Sequence, residues 1–230
     1  MKKRGIIVIS LGGSLIVPNK IDTKFLKKFK DTLQKHYKNH KFVVVCGGGT
    51  IARKYIAGLK AENKSKKELS LAGIRATRMN AKFMMQLFGK EANDELPKNM
   101  KQVKDALPKN KVVFCGALRF ASDSTSDGTA AKLSRNLDCE FINMTNVKGL
   151  YTSNPKTNKN AKFIPEIDWK KFNKMANKTK FKAGQHFVLD QQAAKIIKKE
   201  KIKTYIVGPN LENLSNLISG KKFIGTTISN

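Results

Sequence analysis

Two glycine clusters near the start of the chain each follow a run rich in β-branched residues. Residues 6–11 read IIVISL and lead into Gly-Gly-Ser at 12–14, and residues 42–46 read FVVVC and lead into Gly-Gly-Gly at 47–49. A buried strand that ends in glycine and precedes a helix exposes backbone N–H groups to which a phosphate can bind, because no Cβ is in the way. Two such loops within fifty residues predict two phosphate groups held close together, as phosphoryl transfer requires.

Arg53 lies one turn into the helix predicted after the second glycine loop. The chain has only six arginines, whereas lysine supplies nearly all of its positive charge. In a chain whose positive charge comes mainly from lysine, an arginine is suited to forked hydrogen bonds with a phosphate or carboxylate. Neither glycine loop has the Walker A spacing or the G-x-G-x-x-G dinucleotide pattern. The alternative is that the glycines only make tight turns.

Two later segments also carry polar groups suited to a nucleotide. Residues 122–127 read SDSTSD and run into a predicted helix. These residues either orient a phosphate or sugar, with Asp127 in an acid–base or positioning role, or simply cap the helix through Ser126 or Asp127. Residues 145–155 read TNVKGLYTSNP, a strand end, a glycine turn and a tyrosine that can surround a base. By itself the second segment indicates only a loop.

Apolar runs alternate with helical periodicity along the chain, which predicts βαβ units and a mainly parallel sheet. Asp22 is expected to cap the helix after the first glycine loop, and Asp127 the helix after the 122–127 cluster. A long helix is expected at about 70–88, and strands at 140–145 and near 204–207. Two further helices are expected in the last third of the chain.

The composition limits the classes of protein to which this chain can belong. With 230 residues and 40% hydrophobic content, the chain has enough apolar residues for a core of one large domain or two small lobes. No apolar run approaches the ~18 residues of a membrane span, and residues 1–4 lead directly into a strand, so we expect a cytoplasmic protein without a membrane partner. Cys46, Cys115 and Cys139 are widely spaced, which predicts core residues and neither a zinc site nor disulfides.

The net charge of +29 has two explanations. One is a polyanionic partner such as RNA, DNA or an anionic membrane. The other is a lysine-rich surface without a specific partner, which the scatter of lysine through every segment favours. No basic run is interleaved with aromatic residues, so we expect no specific nucleic-acid partner.

Taken in order, these segments resemble the amino acid kinase superfamily, and most closely the archaeal-type uridylate (UMP) kinases. The resemblance extends over essentially the whole chain. The motifs that carry it are LGGSL at 11–15, GGGTIARKYI at 47–56, GI at 73–74, TRMNA at 77–81, TSD at 125–127, TNVKGLY at 145–151, KAG at 182–184, Asp190 with AAKII at 193–197, and GTT at 225–227.

The resemblance implies an α/β protein built as a three-layer α/β/α sandwich around a mainly parallel central sheet. It implies a single domain over 1–230, with the acceptor bound over about 1–138 and ATP over about 139–230. The implied reaction is transfer of the γ-phosphoryl group of ATP to UMP, giving UDP and ADP in pyrimidine nucleotide biosynthesis. Mg²⁺ would accompany ATP, with water filling much of its shell, and the protein would be a cytoplasmic homohexamer.

The resemblance also implies roles for residues of this sequence. Asp127 and Lys182 would be the catalytic residues, which position the transferring phosphoryl group and neutralise its charge. The ATP site would comprise Ser10, Gly12, Gly13, Ser14, Gly49, Arg53, Thr145, Asn146, Tyr151 and Asn154. The UMP site would comprise Gly48, Ser70, Phe120, Ala121, Ser122, Asp123, Ser124, Thr125 and Ser126. No residue is assigned as a metal ligand.

Several positions depart from the pattern of that family. Ser10 stands where much of the superfamily has lysine, and Ser70, Lys148 and Asn154 stand where acidic residues are usual. A carboxylate that accepts a hydrogen bond from a ribose or base contributes on the order of 1–3 kcal/mol when buried, so acceptor preference should suffer before phosphate chemistry does. Two alternatives remain open: a kinase with another small phosphate or carboxylate acceptor, and a catalytically weak nucleotide-binding or regulatory protein.

Overall fold

The computed structural model describes residues 5–118, 125–178 and 188–230. Its strands are β1 (Gly5–Leu11), β2 (His40–Cys46), β3 (Val112–Cys115), β4 (Phe141–Met144), β5 (Leu150–Tyr151), β6 (Phe163–Ile164), β7 (Glu166–Asp168), β8 (Thr204–Val207) and β9 (Thr226–Ser229). Its helices are α1 (Gly13–Ile16), α2 (Thr23–His36), α3 (Gly49–Ala61), α4 (Lys66–Phe88), α5 (Met100–Ala106), α6 (Ser126–Leu137), α7 (Trp169–Lys178), α8 (Gln191–Glu200) and α9 (Leu211–Ile218).

The central sheet has the strand order β3-β2-β1-β4-β8-β9-β7 within the described ranges. The five strands from β3 to β8 are mutually parallel, β9 runs antiparallel to β8, and β7 is parallel to β9. Strands β5 and β6 form a separate antiparallel pair. The mainly parallel sheet predicted from the sequence is therefore confirmed.

Alternate residues of the inner strands face opposite layers of helices, so each strand is apolar on both faces. In β2, Val44 packs in one core with residues of α2, α4 and α9, whereas Val43 and Val45 pack in a second core with residues of α5, α6, α7 and α8. This is the three-layer α/β/α sandwich that the resemblance implies. No helix of the described part is long and apolar enough to span a bilayer.

The strand order reverses at β1. The chain goes from β1 to β2 to β3 in one direction across the sheet, and then returns to place β4 on the other side of β1. Such a switch opens a crevice beyond the carboxyl ends of the two strands, where open α/β sheets bind ligands. The Gly12 N–H donates to the Met144 carbonyl oxygen across this point, at 3.0 Å. The first glycine loop thus lies at the mouth of the crevice.

Some element ends differ from the sequence predictions. Asp22 caps α2 as expected, because its Oδ1 accepts from the Phe25 N–H at 3.0 Å. Helix α4 begins four residues earlier than predicted, since Ser65 and Glu68 form a capping box whose S-x-x-E pattern was a usable signal. The strand predicted at 140–145 is shorter, and three helices (α7, α8 and α9) lie where two were expected.

Candidate active site

The two glycine loops are packed against each other, backbone to backbone. A Cβ at Gly13 would overlap the carbonyl oxygen of Gly47 and the amide nitrogen of Gly49, and would lie 2.7 Å from the carbonyl carbon of Gly47. Gly49 has a φ of +56°, and a Cβ there would lie 2.6 Å from the amide nitrogen of Ser14. Only glycine allows this approach, and it places the start of α1 beside the start of α3.

Ser10 and Asp127 join the first strand to α6. The Ser10 side chain is buried, and its Oγ donates to Oδ1 of Asp127 at 2.8 Å, although the two residues are 117 positions apart. Ser10 stands where lysine is usual in the resembled superfamily. In this chain, therefore, a neutral hydroxyl contacts the candidate catalytic carboxylate.

Asp127 does not cap α6, so that prediction is wrong. Thr125 is the cap, because its Oγ1 accepts from the Gly128 N–H at 2.9 Å. A threonine one position before the helix is in the right place to reach the third N–H, and Asp127 is already in the first helical turn. The Asp127 carboxylate is thereby left free to face Ser10.

Burial, and next the negative charge of Asp190, together raise the pKa of Asp127 to about 7, while the hydrogen bond from Ser10 opposes the shift. A carboxyl group with this pKa binds and releases protons near neutral pH. A cation placed beside it would favour the ionised form.

Asp190 is the residue whose role the sequence analysis missed. Its Oδ1 caps α8 by accepting from the Ala193 N–H at 2.9 Å, while its Oδ2 is buried and accepts no hydrogen bond in the described structure. Burial raises the pKa of Asp190 as well. An aspartate directly before a helix indicates only a helix cap, and its proximity to Asp127 arises from the packing of α8 against α6.

The C-terminal tail holds the segment predicted to surround the base. Thr226 Oγ1 accepts from the Leu150 N–H at 2.7 Å and donates to the Ile164 carbonyl at 2.5 Å, so it holds β5 and β6 together. The rings of Tyr151 and Phe163 meet edge to face, with centroids 5.4 Å apart. This hairpin presents an aromatic pair beyond the end of β4.

The other predicted ATP-site residues lie in three places: after β4, in the turn that follows β5, and in α3. Thr145 follows β4 and donates its N–H to the Val207 carbonyl at 2.9 Å, and the exposed Asn146 comes next. Asn154 accepts from the Lys156 N–H at 3.0 Å, so its side chain stabilises its own turn. Arg53 donates to Oγ1 of Thr50 at 3.0 Å and remains partly exposed at the start of α3.

The predicted acceptor residues are placed only in part. Gly48 lies against α4, because a Cβ there would be 3.5 Å from the Gly73 carbonyl oxygen, and Ser70 is one turn earlier on the same helix. Thr125 and Ser126 form the start of α6. The predicted residues Phe120, Ala121, Ser122, Asp123 and Ser124, and the candidate catalytic Lys182, lie outside the described residues.

The sequence profile of the amino acid kinase family matches residues 5–208. The chain belongs to the amino acid kinase family. The uridylate kinase of Thermococcus kodakarensis is 35% identical over 217 residues, which cover 94% of this chain and 96% of that protein. The uridylate kinase of Pyrococcus abyssi is 33% identical over 224 residues, covering 96% and 98%.

Solved structures agree with this family assignment. The crystal structure of uridylate kinase from Archaeoglobus fulgidus matches this amino acid kinase chain with a TM-score of 0.84 at 30% identity, covering 97% of this chain and 99% of that one. The UMP kinase of Ureaplasma parvum matches with a TM-score of 0.79 at 20% identity, which shows the shared fold. The crevice at the strand-order reversal therefore belongs to a fold of known amino acid kinase type.

Proposed function

We propose that this amino acid kinase transfers the γ-phosphoryl group of ATP to UMP, giving UDP and ADP. The observation that carries the proposal is the contact between the two glycine loops, which places the backbone of residues 13–14 directly against that of residues 47–49. Uridylate kinases that match nearly the full length of the chain support the choice of acceptor. The loop at 12–14 would bind the donor phosphates, and Gly48 would face UMP.

Phosphoryl transfer to UMP needs little or no general-base catalysis. The phosphate of UMP loses its second proton with a pKa of about 6, so its oxygen is already a competent nucleophile at neutral pH. That oxygen attacks the γ-phosphorus in line, the bond to the β–γ bridging oxygen breaks, and ADP leaves. Asp127 and Lys182 would therefore act by positioning and by balancing charge, and not by removing a proton.

The residues present fit a divalent cation of the kind that accompanies ATP. Asp127 and Asp190 offer hard carboxylate oxygens, and Oδ2 of Asp190 is buried without a hydrogen bond in the described structure. Groups of three or more His, Cys, Asp or Glu placed to hold a metal do not occur among the described residues. We propose Mg²⁺, held mainly by ATP and water, with these two carboxylates nearest to it. When bound, it neutralises charge that develops on the phosphate oxygens.

The remaining parts of the proposal follow the resemblance. We propose that the acceptor side is about 1–138 and the ATP side about 139–230, a division supported by β1, β2 and β3 lying on one side of the strand-order reversal and β4 and β8 on the other. A homohexamer, a cytoplasmic location and the lack of a specific nucleic-acid partner remain predictions. Light scattering on the purified protein tests the first of these.

The proposed function is tested by measuring ADP formation from ATP and Mg²⁺ with a panel of acceptors. We expect turnover with UMP and weaker turnover with CMP. Folded protein that forms no ADP with UMP would contradict the proposal. Turnover with a non-nucleotide phosphate or carboxylate alone would instead favour another acceptor, and ATP binding without any turnover would favour a regulatory protein.

Weak discrimination between UMP and dUMP is expected in the same assay. Ser70 offers a neutral hydroxyl where a carboxylate is usual, and a hydrogen bond to a charged group contributes on the order of 1 kcal/mol more than a neutral one. Ser70→Asp should therefore raise the ratio of kcat/KM for UMP over dUMP by roughly fivefold. Gln86→Asp, at an exposed position of the same helix, adds the same charge elsewhere and should leave the ratio unchanged. An unchanged ratio in both variants would show that Ser70 does not face the ribose.

A further inference from the structure

Arg78 uses its guanidinium on backbone carbonyls. Its Nε donates to the Ala117 carbonyl at 3.1 Å, and its Nη2 donates to the Leu118 carbonyl at 2.8 Å. These two carbonyls belong to the chain that leaves β3 at the carboxyl edge of the sheet. One of the few arginines of this chain thus makes the forked contact expected of a scarce guanidinium, with the protein itself as its partner.

Thr77, the residue before Arg78 in α4, binds the same segment through a backbone N–H group instead of a carbonyl oxygen. Thr77 Oγ1 accepts from the Ala117 N–H at 3.0 Å and donates to the Ile74 carbonyl at 2.7 Å, and the Thr77 side chain is buried. A Cβ at Gly116 would lie 2.6 Å from Thr77 Oγ1 and 2.7 Å from the Arg78 amide nitrogen. Both backbone groups of Ala117 are therefore bound to consecutive residues of α4.

The same turn of α4 also holds the second glycine loop. Asn80 Nδ2 donates to the Gly47 carbonyl at 2.7 Å in a buried contact. A Cβ at Gly48 would lie 3.5 Å from Cγ2 of Thr77. Side chains from this single helical turn, residues 77–80, therefore fix the distance between the end of β2 and the end of β3.

We propose that Arg78 is a positioning residue for the acceptor site, which it shapes by fixing the backbone of 116–118 against the Gly48 loop. The proposal rests on the proposed function, because that function assigns this side of the crevice to UMP. The Nε–H and Nη2–H groups of arginine lie in one rigid plane and can bind successive carbonyls, whereas the ammonium of lysine is a single point of charge. The role therefore requires arginine and not merely a positive charge.

The test compares Arg78→Met and Arg78→Lys with Arg75→Met, a control one turn earlier on α4 at an exposed position. We expect KM for UMP to rise about tenfold in Arg78→Met, and nearly as much in Arg78→Lys, while KM for ATP stays within twofold in both. Arg75→Met should keep both constants at the wild-type values. Unchanged KM for UMP in the Arg78 variants would overturn the proposal, as would an equal rise in both KM values accompanied by a fall in Tm.

Hydrogen exchange separates failure of this proposal from failure of the proposed function. The Ala117 amide should exchange faster in Arg78→Met than in the wild type, and no faster in Arg75→Met, whichever acceptor the enzyme uses. Wild-type protein without activity on UMP would refute the proposed function only. Unchanged exchange at Ala117 would refute the role of Arg78 even if UMP is the acceptor. Arg78→Lys retains charge and most of the side-chain length, so it provides a folded variant if Arg78→Met is unstable.

Discussion

Gly13→Ala should nearly abolish phosphoryl transfer and destabilise the protein. The added Cβ would overlap the Gly47 carbonyl oxygen and the Gly49 amide nitrogen, and would lie 2.7 Å from the Gly47 carbonyl carbon. All of these are backbone atoms, so no side-chain rotation relieves the clash and the two loops must separate. Overpacking of this kind costs roughly 1–3 kcal/mol of unfolding free energy. A displacement of about 1 Å between reacting groups lowers turnover on the order of a hundredfold.

Gly58→Ala is the matched control. Gly58 lies within α3, and a Cβ there would meet nothing within 4 Å. Alanine is favoured over glycine inside a helix by roughly 0.5–1 kcal/mol, so this variant should be slightly more stable and fully active. Urea unfolding and initial rates at varied ATP check both variants. Wild-type turnover in Gly13→Ala would show that the contact between the loops is not needed for catalysis.

Asp127→Asn should lower kcat by about a hundredfold to a thousandfold, the range seen when one electrostatic group is removed from an active site. The amide keeps the shape of the carboxyl group and can still accept the hydrogen bond from Ser10, so the loss would be due to the missing charge. Asp31→Asn, an exposed carboxylate on α2, removes the same charge away from the crevice and should leave kcat unchanged. Equal kcat in both variants would exclude a role for the Asp127 charge.

The same variant should change how stability depends on pH. The pKa of Asp127 is about 7 in the folded protein, chiefly because of burial and next because of Asp190, and an unfolded aspartate has a pKa of about 3.9. The folded state therefore binds the proton more tightly, and the stability from this group is complete below pH ~4 and lost as pH rises through 7. Wild-type protein should lose unfolding free energy over this interval relative to Asp127→Asn. Parallel curves for the two proteins, measured by urea unfolding, would contradict the raised pKa.

Local sequence patterns predict the parts of this structure that depend on local interactions. The runs before the glycine loops form β1 and β2, and Asp22 caps its helix, because strand burial and capping involve residues near one another in sequence. The start of α6 could not be resolved this way, since several adjacent residues can each act as a cap. Thr125 is the cap, and the Asp127 carboxylate instead accepts a hydrogen bond from Ser10, 117 positions away.

The remaining site features also depend on contacts between distant segments. Asp190 caps α8, as its sequence indicates, but its relation to Asp127 exists only because α8 packs beside α6. The carbonyls that Arg78 binds are 39 and 40 positions away, and backbone carbonyls carry no signal in a sequence. The chain has only six arginines, but this scarcity does not identify the partner of any one of them.

The hydrogen bond from Ser10 to Asp127 joins the first strand of the protein to a helix more than a hundred residues later. Closing so long a loop costs entropy that only the contacts of the whole core repay, so we expect this contact to form late in folding. It also follows that neither the segment before α6 nor the segment after β1 contains the complete crevice. Heat should therefore abolish activity in the same cooperative transition that melts the sheet, and no partly unfolded intermediate should remain active.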